Sequence, residues 1–224
     1  MLSQAVEDYL KTIYMLHEGE AVTTTEIARR LNVSSASVTN MVKRLAVLGL
    51  VEHQAYRGVT LTDAGQKIAL EIIRHHRLLE TYLREFMGYD WERMHDEAEK
   101  LEHHISEEFE DRLDEMLGFP THDPHGDPIP SRDGEMPASE TVPLTTFSSG
   151  DAVLIQRLPD SDPAFLTHLE SLGLLPNVQV TLVDNVIESG SVVVRIGEDE
   201  HELEYAEAGL ILATIVDPTG SIQS

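Results

Sequence analysis

Histidines and carboxylates recur at helical spacing in Met94-His95-Asp96-Glu97-Ala98-Glu99-Lys100-Leu101-Glu102-His103-His104. At 100° per residue, with His95 at 0°, Glu99 falls at about 40°, Glu102 at about −20° and His103 at about 80°, so these four share one arc while His104 points away. Upstream, His76 and Glu80 stand four residues apart and share a face of their own helix. If the two helices pack antiparallel, His76 and Glu80 meet His95, while Glu99, Glu102 and His103 form a second cluster one to two turns further on. Imidazoles and hard oxygen ligands in a chain without cysteine suit a divalent cation. Any one of these residues alone would be ordinary solvated helix surface. Clustered on two facing stripes they are not, because carboxylates held together repel and a cation removes that cost. Asp8, on the N-terminal helix, is a further candidate, although alone it would be a helix-start carboxylate answering the dipole.

The elements that position these groups follow from periodicity. Val6, Leu10, Ile13 and Leu16 place an amphipathic helix over about 4–16, ending near Gly19. Val22-Thr23-Thr24-Thr25-Glu26-Ile27-Ala28-Arg29-Arg30-Leu31 is a short helix with a Thr cap and an early Glu. Asn32-Val33-Ser34 breaks it, a second helix runs from Ser35 to Leu48, and Gly49 stops it. Val51-Glu52-His53-Gln54 and Gly58-Val59-Thr60-Leu61-Thr62 form two strands around Ala55-Tyr56-Arg57. Two long helices are expected next, from about Asp63 to Met87 and from about Trp91 to Leu117. Six of the ten prolines then fall within 119–149, a linker or irregular arm. Short strand-like runs at 152–155, 178–183, 191–196 and 211–216 fit a small β-barrel or sandwich of about seventy residues.

The first sixty residues have the physics of a winged helix-turn-helix, in which the second helix lies in the major groove. Thr25, Ser34, Ser35, Ser37, Thr39 and Asn40 can reach base edges or phosphates. Lys43, Arg44 and, at the hairpin tip, Arg57 can reach phosphates. An ordinary helical hairpin with solvating Ser and Thr is the plain alternative; the added hairpin and the local charge argue against it. The chain carries a net charge of −24, which as a whole disfavours DNA. Residues 1–60 nevertheless balance at zero, while 61–120 carry −9 and 121–224 carry −15. No apolar run is long enough to span a membrane and the start lacks the basic and apolar regions of a signal peptide, so a cytoplasmic location is expected.

Five motifs, in order, resemble the diphtheria-toxin-repressor and manganese-transport-regulator family of bacterial metal-dependent transcription factors. They are Glu7-Asp8-Tyr9-Leu10-Lys11-Thr12-Ile13-Tyr14, Val38-Thr39-Asn40-Met41-Val42-Lys43-Arg44-Leu45, Arg74-His75-His76-Arg77-Leu78-Leu79-Glu80, the His95–His103 segment, and Asp123-Pro124-His125-Gly126-Asp127-Pro128-Ile129-Pro130. Leu169-Glu170-Ser171-Leu172-Gly173-Leu174-Leu175-Pro176-Asn177 is similar to the optional third domain, an SH3-like barrel related to small ferrous-transport (FeoA) proteins. The resemblance implies a mainly α chain with small β parts. It places a winged helix-turn-helix over 1–62, a helical dimerisation and metal-binding domain with a Pro-rich arm over 63–140, and an SH3-like, FeoA-like β-barrel over 148–217. It also implies a primary metal site of Asp8, Glu99, Glu102 and His103, and an ancillary site of His76, Glu80 and His95 that Asp160 or Asp162 would complete.

Iron-responsive members of that family carry methionine and cysteine at the positions of Asp8 and Glu99, so hard carboxylates here favour Mn(II), with Fe(II) the alternative. Compact manganese-type members carry glutamate at the position of Lys11, which leaves two separated sites rather than a close pair of ions. The expected function is a non-enzymatic, homodimeric, metal-dependent repressor of metal-uptake genes on palindromic operator DNA. Two rivals remain: a winged-helix regulator sensing a small molecule, and a carboxylate/His metalloenzyme built on Glu92-Arg93-Met94-His95. The latter needs a second Glu-x-x-His copy on another, facing helix, and none is found there.

Overall fold

Val6, Leu10 and Ile13 line one side of α1 (Gln4–Leu16) and are each no more than 1% exposed, which leaves Glu7, Asp8 and Lys11 on its half-buried flanks. The structure, a computed structural model, describes residues 2–17, 19–54, 57–138, 140–160, 162–186 and 190–216. The chain divides into two units, one of residues 1–79, 98–119 and 129–137, the other of 80–97, 120–128 and 138–224.

In the first unit, α2 (Thr24–Arg30) starts with a capping box in which Thr23 accepts from the Glu26 amide and Glu26 from that of Thr23. The chain turns through Asn32, at φ 52°, into α3 (Ser35–Val47), whose N-cap Ser34 accepts from the Ser37 amide. Gly49 takes φ 73°, the left-handed stop that favours glycine. Strands β1 (Val51–Gln54) and β2 (Gly58–Leu61) pair antiparallel, Val51 opposite Leu61 and Gln54 opposite Gly58. Ala55 and Tyr56 of the expected turn lie outside the described residues. Val38, Val42, Leu45, Leu50, Val51 and Val59 close the core with the apolar stripe of α1, each fully buried Leu or Ile contributing about 2 kcal/mol.

Helix α4 (Asp63–Glu85) begins where Gly65 passes so close to the Leu50 carbonyl that a Cβ would overlap it. Every residue from Ile72 to Thr81 is buried, Arg74, His75, His76, Arg77 and Glu80 among them. Buried charges must be paired, and within the first unit Arg74 donates to Glu110, to Asp114 and to the Pro130 carbonyl.

The expected single helix from Trp91 to Leu117 is in fact two, α5 (Trp91–Leu101) and α6 (Glu107–Met116). Glu102, His103 and His104 form a turn after α5, and Ser106 restarts the helix by accepting from the Phe109 amide. The projection of Glu102 and His103 as continuing helix therefore fails; they lie on the turn that ends it.

In the second unit, β3 (Val142–Pro143), β4 (Ala152–Arg157), β5 (Gln179–Val186), β6 (Ser191–Ile196), β7 (Asp199–Glu204) and β8 (Leu212–Ile215) form one antiparallel sheet in the order β3-β8-β4-β5-β6-β7. Val153, Ile155, Val180, Leu182, Val192 and Val194 alternate inward and are at most 1% exposed, the period of two that a half-buried sheet demands. Helix α7 (Pro163–Ser171) precedes β5, and the one-turn α8 (Tyr205–Ala208) follows β7. Of the proline-rich stretch, this unit holds 120–128 and the residues from 138 on, with Asp123, His125, Asp127 and Leu144 buried.

Candidate metal centre

Three of the expected primary ligands converge in the first unit. The turn after α5 keeps the Glu102 amide bonded to the Ala98 carbonyl at 2.9 Å and swings His103 toward α1. His103 Nε2 stands 2.8 Å from Asp8 Oδ1 and 3.3 Å from Glu102 Oε1, with Glu102 wholly buried. Ligand atoms of Asp8, Glu102 and His103 all lie within 4.8 Å of one another. On the other side of the ring, His103 Nδ1 lies 2.7 Å from Glu7 Oε2.

Burial alone would lower the pKa of His103, but Asp8, Glu7 and Glu102 around the ring outweigh it and hold the imidazole above its ordinary value. The arrangement therefore attracts positive charge, and a divalent ion would compete with a proton for it. Asp8 Oδ1 and His103 Nε2 are buried yet make no hydrogen bond of acceptable geometry. Such atoms are costly to bury, and an ion between them would satisfy both, so the donor set fits a hard divalent metal.

Glu99 faces a different partner. With His76 and Glu102 it forms a second ligand-type group, and the Lys11 ammonium sits in it, 2.8 Å from Glu99 Oε2, 2.9 and 2.8 Å from the two Glu102 oxygens and 3.3 Å from His76 Nδ1. His76 Nδ1 also lies 2.5 Å from Glu102 Oε2. His75 ties the same turn to α6, with Nδ1 at 3.0 Å from the Glu102 carbonyl and Nε2 at 3.1 Å from Glu110.

The second unit gathers its own set. Glu80, wholly buried, lies 3.0 Å from His95 Nδ1 and 3.8 Å from His125 Nε2. His125 Nε2 is 3.2 Å from Asp123 Oδ2 and 3.5 Å from Asp127 Oδ2. Glu80, Asp123 and His125 form one ligand-type group, and His125, Asp127 and Asp160 another. The loop is built for this: Asp123 Oδ1 accepts from the amides of His125 and Asp127. Gly126, at φ 93°, lies so close to the Gln156 carbonyl that a Cβ would collide with it.

Asp160 thus joins this group, whereas Asp162 is spent as the N-cap of α7, accepting from the Ala164 and Phe165 amides. Of the expected ancillary residues, Glu80 and His95 come together here. His76 precedes Glu80 by one turn of α4 and belongs to the first unit. Asp123, His125 and Asp127 went unassigned in the sequence because they sit in the proline-rich arm; their Asp-x-His-x-Asp alternation was the available signal.

The expected DNA-facing residues lie on one unit. Thr25, Ser34, Ser35, Ser37, Asn40, Lys43, Arg44 and Arg57 are exposed, with Thr39 half-buried. The Thr39 hydroxyl donates to the Ser35 carbonyl at 2.8 Å, and Ser34 is occupied in capping. Ser37 Oγ in turn lies 2.9 Å from Ser34 Oγ, whereas Ser35, Asn40 and Lys43 stand exposed on α3.

Comparison with known proteins gives three family matches in sequence order. The iron dependent repressor N-terminal DNA binding domain matches residues 1–59, the iron dependent repressor metal binding and dimerisation domain 62–131, and the FeoA domain 142–214. The iron-dependent repressor IdeR of Mycobacterium leprae (strain TN) is 35% identical over 224 residues, covering 92% of this chain and 96% of its own. A manganese-dependent transcriptional repressor solved in complex with manganese superposes with a TM-score of 0.87 at 37% identity, over 94% of this chain and 99% of that one. The structure of ScaR with bound Cd2+ gives 0.75 at 33% identity, over 93% and 98%. With these three domains in this order and a full-length relative at that identity, the chain belongs to the iron-dependent repressor family.

Proposed function

We propose that this chain is a metal-dependent transcriptional repressor that binds palindromic operator DNA as a homodimer in the cytoplasm and controls metal-uptake genes. The observation that carries the reading is the approach of Asp8, on the first helix of the DNA-binding unit, to Glu102 and His103 at the end of α5. A divalent cation held there supplies the positive charge that lets two carboxylates and an imidazole converge. Asp8 then fixes α1, and through the shared apolar core fixes α3, relative to the turn after α5 that carries Glu102 and His103. In a dimer this sets the separation of two recognition helices to about 34 Å or a multiple of it, the repeat of the major groove along one face of DNA. Without it, the heads sample many separations and affinity falls.

Mn(II) is the favoured ion and Fe(II) the alternative, because Asp8, Glu102, His103 and the neighbouring Glu99 offer hard oxygen and one imidazole. The relatives support either metal, one named for iron and another for manganese. Glu80, Asp123 and His125, with His95 and Asp160 adjacent, form the second metal site. The proteins to which the chain is similar are repressors, and Glu92, which an oxidase reading needs, is exposed while His95 turns to Glu80. Fluorescence anisotropy of promoter DNA tests the proposal: the parent gains affinity steeply with Mn(II), and Asp8→Ala does not. Equal binding by Asp8→Ala in EDTA and in saturating Mn(II) would refute it.

A further inference from the structure

We propose that Glu7 is the positioning residue of the first-unit centre, fixing the tautomer of His103 so that Nε2 presents its lone pair to the cation position. The inference rests on the metal reading above. A neutral imidazole has one N–H and one bare nitrogen, and its hydrogen-bond partners decide which is which. The Glu7 carboxylate can only accept, and it lies 2.7 Å from Nδ1, so the proton belongs on Nδ1. The bare Nε2 is then left facing Asp8 Oδ1 at 2.8 Å and Glu102 Oε1 at 3.3 Å, a convergence of lone pairs that only a cation or a proton reconciles.

The site is enclosed enough for this to matter, with the His103 side chain 2% exposed and that of Glu7 13%. Glu7 and Asp8 are consecutive on α1 and grip opposite nitrogens of one ring. The Glu7 contact needs no metal, so it orients the ring before an ion arrives. A carboxylate behind a ligating imidazole also raises its basicity, and loss of such a partner typically lowers metal affinity by 10- to 100-fold.

Two readouts on the full chain test this. In metal-free protein at a pH where the ring is neutral, 15N NMR of labelled histidine reports the tautomer of His103. Paramagnetic broadening of the same ring signals during Mn(II) titration reports occupancy of the first-unit centre. The parent shows the Nδ1–H form. Glu7→Gln, whose amide oxygen still accepts, keeps that form and loses about 10-fold in affinity; Glu7→Ala loses the tautomer preference and about 100-fold.

The role of Glu7 is overturned if the parent carries its proton on Nε2. It is equally overturned if Glu7→Ala binds Mn(II) within threefold of the parent, including the case in which that variant only melts earlier. A folded parent that takes up no Mn(II) at His103 overturns the metal reading itself, and the role of Glu7 with it.

Discussion

Lys11 is a positive charge placed where a second cation would otherwise sit. Its side chain is 16% exposed and its partner Glu102 is fully buried, so the ammonium offsets the cost of burying that carboxylate. Lys11→Met should leave Glu102 and Glu99 facing each other and cost the metal-free protein about 3 kcal/mol, the scale of breaking a buried ion pair. Urea denaturation in EDTA checks this, and Mn(II) should restore more stability to the variant than it adds to the parent. A Lys11→Met protein as stable as the parent without metal would show that the ammonium contributes nothing there.

At the scale of elements, the joint between α4 and α6 depends on a buried network, with Arg74 and His75 both on Glu110. Burial alone would raise the Glu110 pKa, but hydrogen bonds from His75 and Arg74 and their charges overcome it and hold the carboxyl below its ordinary range. A carboxylate with a depressed folded pKa stabilises the fold above its unfolded value, about 4.3, and loses that contribution as the pH falls through the folded value. Parent stability in EDTA should therefore decline on acidification through and below that range, and Glu110→Gln should flatten the decline while costing about 3 kcal/mol at neutral pH. Parallel pH profiles for the two proteins in chemical denaturation would contradict this.

Other elements differ in how far local signals reveal them. The Thr23–Glu26 capping box and the Ser34 cap announce α2 and α3 from sequence alone, because a cap and its helix are neighbours in the chain. The break between α5 and α6 was missed because Leu101, Ile105, Phe109 and Leu113 keep helical spacing across it. Ser106 ahead of Glu107 and Glu108 was its one local sign. Strand β7 was missed for the opposite reason: Asp199-Glu200-His201-Glu202-Leu203-Glu204 has poor strand propensity, and only Leu203 is buried. Its pairing with β6 across six residue pairs makes it a strand.

At the scale of the whole molecule, a chain of net charge −24 can approach DNA only where its charges balance, in residues 1–60, so each exposed cation there carries a large share of phosphate attraction. Lys43 is one such exposed cation, on α3. Lys43→Ala should weaken binding by a similar factor on every sequence and reduce the slope of log affinity against log salt by about 1. Asn40 is the residue whose loss should alter sequence preference instead. A salt series on operator and unrelated DNA separates the two roles, and an unchanged slope for Lys43→Ala would remove it from the phosphate contacts.

The sequence by itself determined the helix-turn-helix, the balance of charge that confines DNA binding to it, and the residue types of the metal cluster. All of these are written in caps, periodicity and composition, which act over a few neighbouring positions. Only the tertiary structure decided that Glu102 and His103 ride a turn, that Lys11 stands among Glu99, Glu102 and His76, and that Asp160 rather than Asp162 joins His125. Those outcomes depend on which distant side chains share a buried, low-dielectric space, where unpaired charge is costly. Local spacing carries no record of that space.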